Sequence, residues 1–170
     1  IGLSSAFDAS LVERTFANIG NPDSLSSITN ALYFKFVTYL ENNEQENVLG
    51  LIASAGWLET VYITVNTIDY SKNKDAVDRL ADQKLTLDNL LDYLETHKTE
   101  PNVAETMIWF QDLELVFSQL SEENNKEASL EKSNDGKMVL TGGASISMSE
   151  EQFKAIKNKV NQIRNNIVKI

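Results

Sequence analysis

The sequence predicts an all-α (mainly) fold: an up-and-down multi-helix bundle of about six helices, with a small β-hairpin or long loop before the last helix. Three observations predict it. Apolar residues recur at spacings of three and four over most of the chain. The polar junctions between these stretches are short, and short connections join antiparallel neighbours. A capping box at Ser149–Gln152 opens the final apolar run.

Each element has its own signals. Asp8 is placed to cap a short first helix carrying Leu11, Val12, Phe16 and Ile19, with Gly20 placed to end it. Asn21 then caps a second helix that has Pro22 at its first position. Its apolar face is Leu25, Ile28, Leu32, Phe36 and Tyr39/Leu40, and Asn42-Asn43 breaks it. A third helix is expected over about 44–70. A fourth follows, with Asp75 as its cap, Leu80, Leu87, Leu91 and Leu94 facing inward, and an interruption near 83–86. The fifth, about 102–120, shows Val103, Met107, Phe110, Leu113 and Phe117 on one stripe.

The chain becomes polar after Ser121. Asn134-Asp135-Gly136 is a turn signal between the runs 129–133 and 137–141, which predicts a hairpin there, ended by Gly142-Gly143. In the last helix Met148, before the cap, is placed to touch Phe153. Phe153, Ile156, Val160, Ile163 and Ile167 then form a narrow seam. Residues 1–170 are expected to form a single helical domain, with 121–148 as a hairpin or loop insertion within it. A chain that opens on Ile1-Gly2-Leu3 reads as the C-terminal part of a longer precursor.

Composition excludes several functions. The formal net charge is −10, so nucleic acid is a poor partner, since phosphates call for a basic face. Residues 150–170 carry a net +3, which leaves −13 on the other 149. A basic last helix lying against an acidic body accounts for this; a docking helix for an acidic partner is the sharper alternative. With no cysteine, disulfides and thiolate chemistry are excluded. The single histidine, His97, cannot supply the paired Glu-x-x-His motifs of a di-iron bundle or the two histidines of a zincin. No metal and no cofactor are therefore expected. Ser54 lacks a nucleophile elbow, and Gly142-Gly143 is too short for a phosphate loop.

One stretch stands out. Residues 51–65 read "LIASAGWLETVYITV": small residues, then Trp57, then the lone acid Glu59. The length of 49–68 would suit a membrane span, but Glu59, Asn66 and three threonines favour a buried core helix, so no transmembrane helix is expected. At about 100° per residue Glu59 shares a face with Val48, Ile52, Ala55, Tyr62, Ile63 and Asn66. If that face is buried, Glu59 requires a partner, which Tyr62 and Asn66 are near enough to help provide. Trp109, the other tryptophan, could wall a cavity with Trp57. The candidate ligand or polar-core set is thus Trp57, Glu59, Tyr62, Asn66 and Trp109.

The segments "AFDASLVERTFANIGNPDSL", "NVLGLIASAGWLETVYI" and "LADQKLTLDNLLDYL" resemble an uncharacterised family of helical envelope lipoproteins from Bacteroidetes-type bacteria. The family's third-helix run is Ala-Gly-Gly-Trp-(Ile/Leu)-Glu-Gly-Leu-Tyr, and Thr60 stands here in place of its second-half glycine. The resemblance implies a cell-envelope, periplasmic setting with a lipid anchor upstream. It implies no activity. The leading expectation is a non-enzymatic envelope protein acting through a helical interaction surface on a protein partner. The alternative is a binder of a small apolar ligand between helices near Trp57 and Glu59. An enzyme using Glu59 as acid or base ranks last, because no nucleophile, metal or oxyanion donor accompanies it.

Overall fold

The computed structural model describes residues 9–124, 129–132, 138–141 and 144–169. It is a mainly α-helical bundle with antiparallel strand pairs before the last helix. The contacts divide into two compact units, 1–49 and 50–170. The physical reason is the sparse core of the first: between residues 10 and 49 only Ile28 and Leu40 have fully buried side chains among those described.

In the first unit, α1 (Ala9–Ala17) and α2 (Pro22–Asn42) pack on each other. The expected cap Asp8 lies outside the described residues. Helix α1 ends at Ala17, three residues before Gly20, as Asn18 Nδ2 donates to the Arg14 carbonyl at 2.7 Å. Asn21 caps α2 as its sequence predicts: its side chain accepts from Ser24 N at 3.1 Å, and Pro22 fills the first turn. The α2 stripe also faces inward, with Ile28 and Leu40 buried and Leu25, Leu32, Phe36 and Tyr39 half-buried. Asn43 closes α2, and Glu44 adopts φ 55°, a left-handed conformation that stops the helix from running on.

In the second unit, α3 (Glu46–Thr67) contributes Gly50, Ser54, Trp57, Leu58, Val61 and Val65 to the interior. The buried Ser54 hydroxyl donates to the Gly50 carbonyl at 2.7 Å, which satisfies it within the helix. The turn that follows is tied by side chains: Asp69 accepts from Ser71 N at 2.9 Å and Ser71 Oγ at 2.6 Å, while Asn73 accepts from Asp69 N at 2.8 Å. Asn73, not Asp75, holds the cap position of α4 (Lys74–Ala81), and Asp75 sits in the first turn, where its charge suits the helix dipole. The expected interruption falls at Asp82, one residue earlier than its predicted start, and α5 (Gln83–Glu95) continues from it. Helix α6 (Pro101–Phe117) buries all five residues of its predicted stripe.

The hairpin is present as β2 (Ser129–Lys132) paired antiparallel with β3 (Met138–Thr141), Ser129 opposite Thr141. The turn signal at 134–136 and the Gly142-Gly143 stop lie outside the described residues. Outside this pair in chain order, β1 (Ser121–Asn124) pairs with β4 (Ala144–Ser147). Four residues separate β1 from β2 but two separate β3 from β4, so the register shifts by two between the pairs. Lys84 Nζ bonds Glu122 at 2.8 Å and ties β1 to α5.

Helix α7 (Glu150–Val168) starts with the predicted capping box: Ser149 N donates to Gln152 Oε1 at 2.8 Å, and Gln152 N donates to Ser149 Oγ at 3.2 Å. Phe153, Ile156, Val160 and Ile163 enter the main core with Met148, α3, α4, α5 and α6 residues. A smaller cluster, Leu94, Val103 and Met107, joins α5 to α6.

Two predictions follow from this packing. A Cβ on Gly50 would lie 3.0 Å from Leu94 Cδ2 and 3.1 Å from the Tyr93 ring, whereas one on Gly56 would meet nothing within 4 Å. Gly56→Ala is expected to stabilise by about 0.5–1 kcal/mol through helix propensity, and Gly50→Leu to destabilise by about 1–3 kcal/mol through overpacking; urea unfolding of both variants measures this. Hydrogen bonds from Ser71 hold the Asp69 carboxyl below its ordinary 3.8, and Lys84 holds Glu122 below 4.5. Depressed carboxylates contribute stability that is present above their ordinary values and lost as pH falls through the depressed ones. Thermal melts from about pH 6 to about pH 3 should therefore show a flatter acid decline in an Asp69→Asn, Glu122→Gln double variant than in the wild type.

Candidate functional site

The five candidate residues separate into three surroundings. The α3 face containing Glu59, whose burial the sequence leaves open, is the outward one. Ile52 is 41% exposed and Ile63 52%, and Ala55, Glu59 and Asn66 are exposed with them. The physical reason is that α3 is apolar nearly all round, so the core could take either side, and it takes the side carrying Trp57.

Glu59 is satisfied from α7. Arg164 Nε donates to Glu59 Oε2 at 3.0 Å, and Arg164 Nη2 donates to Oε1 at 3.3 Å, a two-pronged pair that matches the planar guanidinium to the carboxylate. The same guanidinium lies 4.4 Å from the centre of the Tyr62 ring, a cation–π contact. The hydrogen bond that Arg164 donates to Glu59 leads in raising the Arg164 pKa above its ordinary value. About two turns beyond Glu59 along α3, Asn66 Nδ2 donates to Asn161 Oδ1 at 2.9 Å and to the Tyr62 carbonyl at 2.8 Å. Glu59, Tyr62 and Asn66 thus form one polar seam with Arg164 and Asn161.

Trp57 points away from this seam. Its ring is 8% exposed and lies 5.7 Å from Phe110 and 6.0 Å from Phe117, centre to centre. Its Nε1 donates to Gln83 Oε1 at 3.1 Å, so the buried indole has a partner. Trp109 is half-buried and packs against the outside of the same core. A groove of about 370 Å³ beside this core is lined by α3, α4 and Gln83, and none of the five candidates lines it.

The basic helix finds acidic partners within the protein. Lys159 Nζ bonds Asp112 of α6 at 3.2 Å, and Lys154 bonds Glu150 one turn back at 2.6 Å. Arg164 and Asn161 were not singled out from the sequence, though the +3 charge of 150–170 was the available signal. Arg79 and Gln83 carried no such signal. Among the described residues no group of three or more His, Asp or Glu side chains is arranged to hold a metal ion. Chemically, the seam is a clasp between two helices: a carboxylate held by a guanidinium that also rests on a tyrosine ring.

No protein-family model matches the chain, nor does any curated protein or solved structure. The likeness to envelope lipoproteins rests on the three sequence segments quoted above.

Glu59 and Trp57, two residues apart in sequence, are expected to respond differently to substitution. Trp57→Ala should cost about 3–5 kcal/mol, since a large core side chain and its hydrogen bond are both lost. Glu59→Gln should leave a folded protein whose small loss of thermal stability disappears in about 1 M salt, where exposed charges are screened. Denaturant and thermal unfolding of the two variants at low and high salt provide the comparison.

Proposed function

We propose that this is a non-enzymatic protein of the cell envelope that works by binding a protein partner through the outer face of α3. One observation carries the proposal. Among the described residues α3 is the helix long and apolar enough to cross a membrane, yet only its inner face is committed to the core. The outer face presents Ile52, Ala53, Ala55, Gly56 and Ile63 to solvent. Contiguous exposed apolar surface of this kind marks interaction sites in soluble domains. The small side chains make the face thin, which suits the close approach of a partner helix. The polar clasp at Glu59 lies within the face and holds it in position against α7. The envelope location, with a lipid anchor supplied upstream, is supported by the sequence resemblance.

A photocrosslinking residue placed at Ala55 in the full-length protein, in intact cells, tests the surface. A discrete adduct is expected there, lost on adding Ile63→Glu, and absent when the crosslinker replaces Glu105 on α6. Equal labelling from both positions, or an adduct indifferent to Ile63→Glu, would remove the α3 face as the binding surface. Fractionation of the same cells, with detergent release of the full-length protein, tests the anchored location independently.

A further inference from the structure

The groove of about 370 Å³ between α3 and α4 has a chemistry of its own. Its bed is apolar, made by Val61 and Ile68 from the α3 side and by Ala76 and Leu80 of α4. One wall is the threonine row Thr60, Thr64 and Thr67. Each of these hydroxyls donates to the carbonyl four residues back, to Gly56, Thr60 and Ile63, at 2.8 Å. Their protons are therefore committed within the helix, and the wall offers no free donor from them. The row runs about 10 Å along the helix axis, at 1.5 Å per residue.

Gln83 Nε2 donates to the Arg79 carbonyl at 3.4 Å, so the charged donor in the lining is the Arg79 guanidinium. Asp75 and Asp82 lie four residues before it and three after it, but among the described residues neither forms an ion pair with it, and Asp78 pairs with Lys74 instead. The lining contains no carboxylate at all, although the protein as a whole carries −10. An apolar trough with a single guanidinium at its edge matches a ligand with an apolar tail and one anionic head. Arginine suits a carboxylate head in particular, because its planar fork donates to two oxygens side by side.

We propose that this groove binds a free medium-chain monocarboxylate, its aliphatic tail along Val61 and Ile68 and its carboxylate on Arg79. Gln83 closes the groove and accepts the hydrogen bond of the buried Trp57 indole. Occupation of the groove is thereby coupled to a tryptophan environment. The site is separate from the outer α3 face, whose Ile52, Ala55 and Ile63 do not line the groove, so either proposal can fail while the other stands.

The test is a titration of the Trp109→Phe protein, in which Trp57 is the remaining tryptophan, with sodium octanoate below its micellar concentration. A saturable change in Trp57 emission is expected. Arg79→Gln should weaken octanoate binding about tenfold or more, the loss of a charge-assisted two-point contact, and Arg79→Lys should restore part of it. Octanol should bind weakly and indifferently to Arg79, and octylammonium more weakly still. Amide shift mapping on the unsubstituted protein supplies a second readout, with Thr64 and Ala76 expected to move. An absence of saturation in both readouts, equal octanoate affinity in Arg79→Gln, or octylammonium binding as well as octanoate would each overturn the proposal.

Discussion

The arrangement of residues 50–170 depends on where Trp57 goes. It is the largest side chain that α3 offers to the core, and it is received by Phe110 and Phe117 of α6. Gln83 accepts the indole N–H, so burying the ring leaves no donor unpaired. That single placement sets the rotation of α3 about its axis. Leu58, Val61 and Val65 then face inward with it, and Ile52, Glu59 and Ile63 face outward. Glu59 thereby comes beside α7, where Arg164 meets it, and the threonine row comes beside α4. The clasp, the exposed face and the groove are three consequences of one rotational setting.

Much of this architecture was legible in the sequence wherever apolar and polar residues contrast. Helix α6 repeats its five stripe residues at spacings of three and four, and all five are buried. Helix α7 announces its start through Ser149 and Gln152, whose reciprocal bonds need only local chain. Asn21 and Pro22 mark α2 in the same way. These signals work because their physics is confined to a few neighbouring residues.

Legibility fails where the deciding partner is remote or where contrast is absent. Periodicity cannot orient α3, because either face is apolar enough to be buried, so which way Glu59 faces is not encoded there. The residue that satisfies Glu59 is 105 positions away in sequence. The β1–β4 pair was missed for a related reason: Ser-Glu-Glu-Asn has no strand propensity of its own and is extended because β4 lies beside it. The division at about residue 49 was hidden because amphipathic pattern shows which face is apolar, not how much of it finds cover. The groove was invisible for a further reason. Its character comes from what Arg79 does not pair with, and no pattern of residue types encodes that.

The long reach of the Glu59–Arg164 contact bears on how the protein is made. Translation delivers α3 well before α7, so its carboxylate waits about a hundred residues of synthesis for Arg164, and its inner face waits about fifty for Phe110 and about a hundred for Val160. During that interval the nascent chain displays a helix with the length and greasiness of a membrane span. Contacts between sequence-distant elements also form late, since chain entropy opposes them until both ends are present. Helix α7, made after α3 and α6, both pairs the acid and completes the hydrophobic interior. A ribosome stalled short of Arg164 would hold a sticky intermediate, one that a holding chaperone or an inserting translocon would engage before the finished fold could hide it.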